Sequence, residues 1–435
     1  MTTVDTSLLS QLRQRNLVTQ MTGGNELEAY LAGGSRTVYC GFDPTANSLH
    51  IGNLVPLLAL RRFQLAGHKP IALVGGATGL IGDPSFKAQE RKLIDQDVVA
   101  EWVECLKQQI SGIIDFEAGQ NSALMVNNLD WTATMDVLTF LRDVGKHFSI
   151  NNMINKESVK QRIEREGEGI SYTEFTYMIL QSLDFAELYK RHNCTVQIGG
   201  SDQWGNITGG VDLTRRLHGG NVFGLTFPLV TKADGSKFGK TETGTVWLDP
   251  KRTSPYAFYQ FWLNCADADV YNFMRYFTFL PVEELKAIEA ADKAASGKPE
   301  AQGILAKEVT RLVHGNDGLE AAERITNSLF NNDLQSLSKS DLEQLKLDGL
   351  PSSELNRAEI AEKPLTQLLT EVGVANSGKQ VKDALSKQSI YLNERPLSMD
   401  DNMQLANRFS VDSALCENYF VLKLGRKKYH LFYLQ

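Results

Sequence analysis

Cysteine is scarce in this 435-residue chain, and its five copies (Cys40, Cys105, Cys194, Cys265 and Cys416) form no C-x-x-C pair. An odd number without paired spacing argues against a disulfide framework or a zinc site, so a reducing, cytoplasmic location is expected. Long apolar runs are missing as well. The longest stretch without Asp, Glu, Lys or Arg runs over residues 44–60, only 17 residues and broken by Gly52 and Pro56. A membrane-spanning helix needs about 18–20 apolar residues, so no membrane association is expected. The start, MTTVDTSLLSQLRQRN, lacks the basic end and apolar run of a secretory signal. There is no internal repeat and no low-complexity tract. Excess positive charge is also lacking: 45 Lys+Arg against 52 Asp+Glu leave a net charge of −7, which excludes a protein that coats nucleic acid through bulk charge. The distribution is uneven, however. From Lys379 to the end there are 9 basic against 6 acidic residues, and before it 36 against 46. An acidic body with a basic tail allows a local polyanion contact at the C-terminal end.

What is present is ordinary globular composition, 42% hydrophobic and 22% charged. At about 150 residues per domain the length suggests roughly three domains. Strand and helix signals alternate through the first two hundred residues: a β-rich run at 37–43, helical periodicity over 54–65 with Pro56 in the first turn, a buried strand at 70–76. The alternation continues with a helix over 88–110, a strand at 123–128 and a helix at 135–144. A helix at 172–190, a strand at 195–200 and a helix at 203–217 follow. Repeated βαβ units imply a doubly wound α/β fold with a parallel sheet, here to about residue 230. Residues 231–253 read as a Gly-, Thr- and Lys-rich loop, 254–340 as an α-helical domain, 341–363 as a polar linker, and 364–435 as a small α+β domain.

Four stretches could carry chemistry. Asp43-Pro44-Thr45 followed by Leu49-His50-Ile51-Gly52-Asn53 sits at a strand-to-helix turn, where free N–H groups favour phosphate. The bland alternative is a capped helix entrance with a surface histidine. GGATGLIGDPSFK over 75–87 follows a strand, but Gly76, Gly79 and Gly82 are three apart, which fits neither a dinucleotide fingerprint nor a Walker loop. Its glycines alone are more simply read as room for close helix contact, while Asp83 suits an ammonium and Lys87 or Arg91 a phosphate. DGSKFGKT over 234–241 mimics a P-loop with the wrong spacing, since Gly235 precedes Gly239 by four and Asp234 stands where glycine is needed. Two lysines three apart on a glycine-hinged loop suit a mobile cationic lid over a polyphosphate, against the plain alternative of a solvated basic loop. On the helix over 172–185, Tyr177, Gln181 and Asp184 are spaced four and three and share a face, able to hold a small polar ligand such as an amino acid. Gly199, Gly200 and Asp202 at a strand end suit ribose hydroxyls.

Together these stretches resemble the class I aminoacyl-tRNA synthetases, and among them the bacterial tyrosyl-tRNA synthetases. His50-Ile51-Gly52-Asn53 resembles the HIGH signature with Asn in place of the second His, and Lys237-Phe238-Gly239-Lys240-Thr241 resembles KMSKS. YCGFDPT, GGATGLIGDPS, QIGGSDQWGN and WLDPKRTSPYAFYQFW match the tyrosyl subgroup in order and spacing across essentially the whole chain. The resemblance implies that Tyr39 and Asp184 bond a substrate phenol, and that Asp83, Tyr177 and Gln181 hold its ammonium with Gln203 near its carboxylate. It implies that Asp202, with Cys40 and Gly200, binds ribose, and that Asp43, Gly52 and Asn53 join the ATP-binding set. Thr45 and His50 would stabilise the transition state at the phosphates, with Lys87, Arg91, Lys237, Lys240 and Thr241 as a cationic set. The implied partners are L-tyrosine, ATP, tRNA(Tyr) and a second copy of the chain, with Mg²⁺ accompanying ATP and no metal held by the protein itself.

The tail L-x-x-L-L-x-x-x-G-x-x-x-S-G-K-Q-x-K resembles the small S-four-type RNA-binding module, with Lys379, Lys382, Arg426, Lys427 and Lys428 as phosphate contacts. The rival readings are the tryptophanyl sister group, typically shorter and without this tail, and a non-catalytic RNA-binding relative. The second is disfavoured because His50, Asp83, Asp202, Lys237 and Lys240 are all present. No long insertion that could house an editing domain interrupts the α/β part.

Overall fold

The computed structural model describes every residue except 1–6, 84–92, 157–158, 161–162, 165–168, 236–237, 242–243, 357–359, 361–362, 404 and 426–427, and leaves the side chains of 240–241 and 405–406 undescribed. Two compact units form: Met1–Asp249 with Ala266–Ala301, and Pro250–Cys265 with Gln302–Gln435. The sequence reading assigns 254–340 to one helical domain. The division falls differently, since the Asp267–Phe277 and Val282–Ala294 helices belong to the first unit. No helix among the described residues is long and apolar enough to cross a membrane.

The first unit is built on a six-stranded sheet ordered β1 (Gln20–Met21), β6 (Phe223–Phe227), β5 (Cys194–Gly200), β2 (Thr37–Phe42), β3 (Lys69–Val74) and β4 (Leu124–Asn127). All pairs are parallel except β1 with β6. Strands such as PIALV and TVQIG are apolar on both faces because helices cover both faces of a parallel sheet. The chain runs outward from β2 through β3 to β4, then returns to place β5 on the other side of β2. The strand order therefore reverses between β2 and β5, which opens a crevice beyond their carboxyl ends.

The helices that frame this crevice carry readable end signals. Ser171 accepts from Glu174 N–H to start the Tyr172–His192 helix, whose last turn is basic and whose stop is Asn193 in the left-handed region at φ 49°. The Leu54–Leu65 helix is buried on most of its circumference, as the centre of an α/β layer requires. Elsewhere the structure departs from the periodicity. The helix expected over 88–110 spans Gln96–Ser111, capped by Asp95, and residues 88–92 lie outside the described residues. The segment 135–144 becomes a short turn at Val137–Thr139 followed by a π turn over Phe140–Val144. Inside the loop 231–253, Lys240–Thr241 (β7) pairs antiparallel with Gly244–Thr245 (β8).

In the second unit, the Ala301–Asn331 helix kinks at Gly315, where φ is 72°. A second sheet has the order β11 (Arg395–Pro396), β10 (Ile390–Leu392), β12 (Tyr419–Leu424), β13 (Lys428–Leu434) and β9 (Ser352–Leu355). The Leu365–Glu371 and Gly378–Ser386 helices pack on it through Leu365, Leu369, Val381 and Leu385. The linker expected at 341–363 is a correction. Asp341 closes a capping box with Ser338 and takes both Arg324 nitrogens at 2.7 and 2.8 Å, and residues 352–355 form an edge strand parallel to β13. An edge strand buries little, here mainly Leu355, so its polar sequence SSEL resembles a linker.

Candidate active site

The crevice holds a cavity of about 570 Å³ at the carboxyl ends of β2 and β5, flanked by the Tyr172–His192 helix and by the turn after β6. Its buried end is polar. Asp184, only 2% exposed, accepts from Asn128 Nδ2 at 3.0 Å on one oxygen and from Trp131 Nε1 at 2.9 Å on the other. Burial pushes its carboxyl up to about 7 even so, because two neutral donors do not replace hydration and Asp43 and Glu187 add repulsion. Tyr39, 1% exposed, lines the same end. Its hydroxyl has no hydrogen-bond partner among the described residues, and burial followed by the field of Asp184 raises its pKa well above the ordinary phenol value. Gln197 also lines this space with its buried Oε1 unpartnered among the described residues. A buried hydroxyl and a buried amide oxygen left without partners are costly, on the order of 1–3 kcal/mol each, unless a ligand meets them.

Nearer the mouth, Tyr177 donates to Asp43 Oδ2 at 2.6 Å while Thr78 donates to Asp43 Oδ1 at 2.6 Å. The Tyr177 oxygen, its proton committed, keeps a lone pair for an ammonium. Burial, then Asp43, raises the Tyr177 pKa well above its ordinary value. A second chain of bonds runs beside it. Gln203 Nε2 donates to Asp83 at 2.7 Å and to Asp202 at 3.1 Å, and Asn206 Nδ2 donates to Gln181 Oε1 at 2.9 Å and to Gln203 Oε1 at 3.3 Å. Two carboxylates joined through an amide, with a phenol and a second amide, form an acceptor-rich wall suited to a cation and to hydroxyl donors.

The glycines have specific tasks. A Cβ on Gly75 would stand 2.0 Å from Asp43 Oδ1 and 2.3 Å from Thr78 Oγ1, and one on Gly79 would stand 2.8 Å from Pro44. The glycine-rich loop thus makes room for Asp43 and the turn that follows it. One on Gly200 would stand 2.4 Å from Asp202 Oδ1. His50 caps the Ile51–Asn53 turn, its Nδ1 accepting from Gly52 N–H at 3.1 Å while Asn53 Oδ1 accepts from His50 N–H at 3.0 Å. With Nδ1 an acceptor, the neutral ring carries its proton on Nε2, a donor for a phosphate oxygen. Asn53, whose Oδ1 is taken by the His50 N–H, still carries an Nδ2 donor group.

Residues 32–331 match the family described as tRNA synthetases class I (W and Y), and residues 341–432 match the Tyrosine--tRNA ligase SYY-like C-terminal domain. The chain is 58% identical over 430 residues to the Tyrosine--tRNA ligase of Aliivibrio fischeri (strain MJ11), across 99% of both chains. The chain belongs to the tyrosyl-tRNA synthetase family. It is also 56% identical over 425 residues to the enzyme of that name from Klebsiella pneumoniae (strain 342), across 98% of both chains. Among solved structures it is similar to a C-terminally truncated Aspergillus nidulans mitochondrial tyrosyl-tRNA synthetase, with TM-score 0.66, 29% identity and coverage of 75% of this chain and 94% of that one.

Of the residues that the tyrosyl-tRNA synthetase resemblance marks, Tyr39, Cys40, Asp43, Thr45, His50, Gly52 and Asn53 line the one cavity. So do Asp83, Tyr177, Gln181, Asp184, Gly200, Asp202 and Gln203. Cys40 is buried, its thiol pushed up to about 12, so it contributes shape and a weak polar edge rather than a nucleophile. Lys87, Arg91 and Lys237 lie outside the described residues, as do Arg426 and Lys427, and Lys240 and Thr241 are described in backbone only. Lys379 and Lys382 are exposed on the Gly378–Ser386 helix, three apart. Lys428 differs, because its ammonium donates to the carbonyls of Gly373 and Val374 and so caps a turn. Thr78, Asn128, Trp131, Gln197 and Asn206 were not foreseen. Only Gln197 had a usable signal, an amide in the middle of an apolar strand; the others act from 50 or more residues away in sequence or through a neighbour already assigned.

Proposed function

We propose that the cavity binds tyrosine with its phenol between Tyr39 and Asp184, its ammonium among Asp83, Tyr177 and Gln181, and its carboxylate turned toward Gln203 and the His50 turn. The chain's activity is that of its family: it activates L-tyrosine with ATP to tyrosyl-adenylate and pyrophosphate, then transfers the tyrosyl group to tRNA(Tyr). The tyrosine carboxylate attacks the α-phosphorus in line, a carboxyl O–P bond forms, and the bond to the pyrophosphate oxygen breaks. A carboxylate is already a nucleophile at neutral pH, so no general base is required, and catalysis rests on positioning and charge stabilisation. His50 Nε2–H, Asn53 Nδ2 and Thr45 serve the phosphates, with Lys87, Arg91, Lys237, Lys240 and Thr241 completing the cationic set. Asp202 takes the ribose hydroxyls beside Gly200 and Cys40.

The observation that carries this reading is the buried polar end of the cavity. A phenol hydroxyl supplies a partner to the unpartnered Tyr39 hydroxyl and a further donor to Asp184, whereas a phenyl ring leaves the Tyr39 hydroxyl unmet at roughly 1–3 kcal/mol. Mg²⁺ enters with the ATP phosphates in this scheme. Among the described residues no three carboxylate, imidazole or thiol groups converge as a metal site. The tail is read as an S-four-type RNA-binding module that meets tRNA(Tyr) phosphates through Lys379 and Lys382, at work in the cytoplasm. The chain is read as a homodimer, supported by Val137, Leu138, Leu141 and Ile150, which are 71%, 77%, 49% and 57% exposed within one short segment.

The test is tyrosine-dependent exchange of labelled pyrophosphate into ATP, without tRNA, across all twenty amino acids. Exchange with tyrosine alone is expected. Exchange with tryptophan would overturn the side-chain assignments, and no exchange with any amino acid would overturn the catalytic reading.

A further inference from the structure

The Asp267–Phe277 helix stands outside the cavity and outside the motifs, yet it touches the signature loop directly and meets the helix that follows the His50 turn through Arg62. Asp269, 6% exposed, accepts from Ala233 N–H at 2.8 Å, four residues before the first lysine of the Lys237–Thr241 signature. Phe238, inside that signature, places its ring 5.1 Å from the Phe273 centroid and 5.3 Å from that of Phe277, nearly parallel to the second at 17°. Contacts of this kind favour particular ring orientations.

The far end of the same helix is held by two buried cations. Arg62, on the Leu54–Leu65 helix that continues the His50 turn, donates to the carbonyls of Tyr276 and Thr278 and stacks at 4.6 Å on Phe279. Arg15 donates to the carbonyls of Arg275 and Thr278, both at 3.2 Å, and to that of Leu280. Among the described residues every hydrogen bond from either guanidinium goes to a main-chain carbonyl. Burial lowers Arg15 to about 10 and Arg62 to about 9, so both stay charged at neutral pH. Charge is welcome there because a helix carboxyl end carries negative potential. From Leu54 to Arg62 the helix is a rod of about 12 Å, stiff enough to transmit position.

The other limb of the signature loop is tied to the His50 turn directly. Ile51 N–H donates to the Val246 carbonyl at 3.0 Å, Leu248 N–H to that of Leu49 at 2.9 Å, and Val246 N–H to that of Gly239 at 3.0 Å. Gly239, at φ 77°, lies so close to Ile51 that a Cβ would stand 2.5 Å from Ile51 Cγ2. Both feet of the loop are thus referred to the turn that carries His50, one by direct pairing and one through the Asp267–Phe277 helix.

We propose that the Asp267–Phe277 helix is a bracket that sets the Phe238–Thr241 backbone against the His50 turn, with Asp269, Phe273 and Phe277 as positioning residues for adenylate formation. The inference rests on the reading that His50 and Lys240 act on the phosphates of ATP. It differs from ordinary core support in what it moves: the activation rate, not tyrosine binding.

The test is single-turnover adenylate formation with tyrosine affinity measured alongside, on Asp269→Ala, Asp269→Asn, Phe238→Ala, Phe238→Leu, Lys240→Ala and the Asp269→Ala/Lys240→Ala double variant. A misplacement of about 1 Å costs on the order of 100-fold, so Asp269→Ala and Phe238→Ala are expected to slow the step roughly 10- to 100-fold with tyrosine Kd unchanged. Asp269→Asn keeps an acceptor oxygen in place and is expected to recover most of the rate. Phe238→Leu keeps apolar volume without the stacked ring, and a slow step there excludes misfolding as the cause. Because the bracket acts through the lysine segment, the double variant is expected to be no slower than Lys240→Ala alone. Fully additive losses overturn the bracket, as does a loss of tyrosine affinity equal to the loss of rate. A slow Lys240→Ala beside normal Asp269→Ala and Phe238→Ala overturns the bracket alone. A normal Lys240→Ala overturns the phosphate reading and the bracket with it.

Discussion

Asp184 is held by the Asn128 amide and the Trp131 indole, and still its carboxyl rises to about 7 because it has lost water on every side. In the empty protein the folded state therefore binds this proton more tightly than the unfolded chain, whose carboxyl titrates near about 4. The group's contribution to stability is present below about 4 and is lost as pH rises through about 7. A bound phenol reverses the preference, since its hydroxyl donates best to an ionised carboxylate. Tyrosine binding near pH 7 should consequently release protons, and tyrosine affinity should fall as pH drops below about 7. Calorimetry in two buffers of different ionisation enthalpy measures this release, and heats identical in both buffers would remove Asp184 from the phenol site.

At the scale of elements, the loop after β3 shows how a glycine-rich stretch can serve a site without touching a ligand. Gly75→Ala would press a methyl group onto Asp43 and Thr78, so Asp43 must shift and release Tyr177. Overpacking of this kind costs about 1–3 kcal/mol of stability. The expected outcome is a lower Tm together with weaker tyrosine binding. A variant with reduced Tm and normal tyrosine Kd would show that Asp43 does not hold the ammonium wall. The same scale marks what could be read from sequence. The Tyr172–His192 helix announces itself through a Ser cap, a period-3.6 face and a basic end, so Tyr177, Gln181 and Asp184 were legible as neighbours. β6 escaped because its five residues are all buried and Gly219-Gly220 and Pro228 make the stretch look like a loop. Asn128 and Trp131 escaped for another reason. They meet Asp184 across 56 and 53 residues, and only the sheet order brings them there.

For the whole molecule, the segment from Val137 to Ile150 presents large apolar side chains that a monomer would leave in water. If a second copy covers them, Leu138→Asp should convert a dimer to a monomer in light scattering, since a charge in a closed apolar contact cannot be paired. A variant that remains dimeric would move the contact elsewhere.

The tail calls for a subtler change than removal. A cut near residue 350 would strip Tyr419, Val421 and Leu431 from Tyr256, Ile325, Leu334 and Leu345, which share one buried cluster of the second unit. Loss of charging after such a cut would not separate an RNA-binding defect from a damaged core. Lys379 and Lys382 are exposed and lie outside that cluster, so Lys379→Glu with Lys382→Glu removes charge and leaves packing intact. Each lysine–phosphate pair removed lowers the slope of log affinity against log salt by roughly 0.7–0.9. The double variant should exchange pyrophosphate normally, bind tRNA(Tyr) more weakly, and show a salt slope smaller by about 1.5 if both lysines meet phosphates. An unchanged slope with unchanged charging would leave the basic tail a solvated surface.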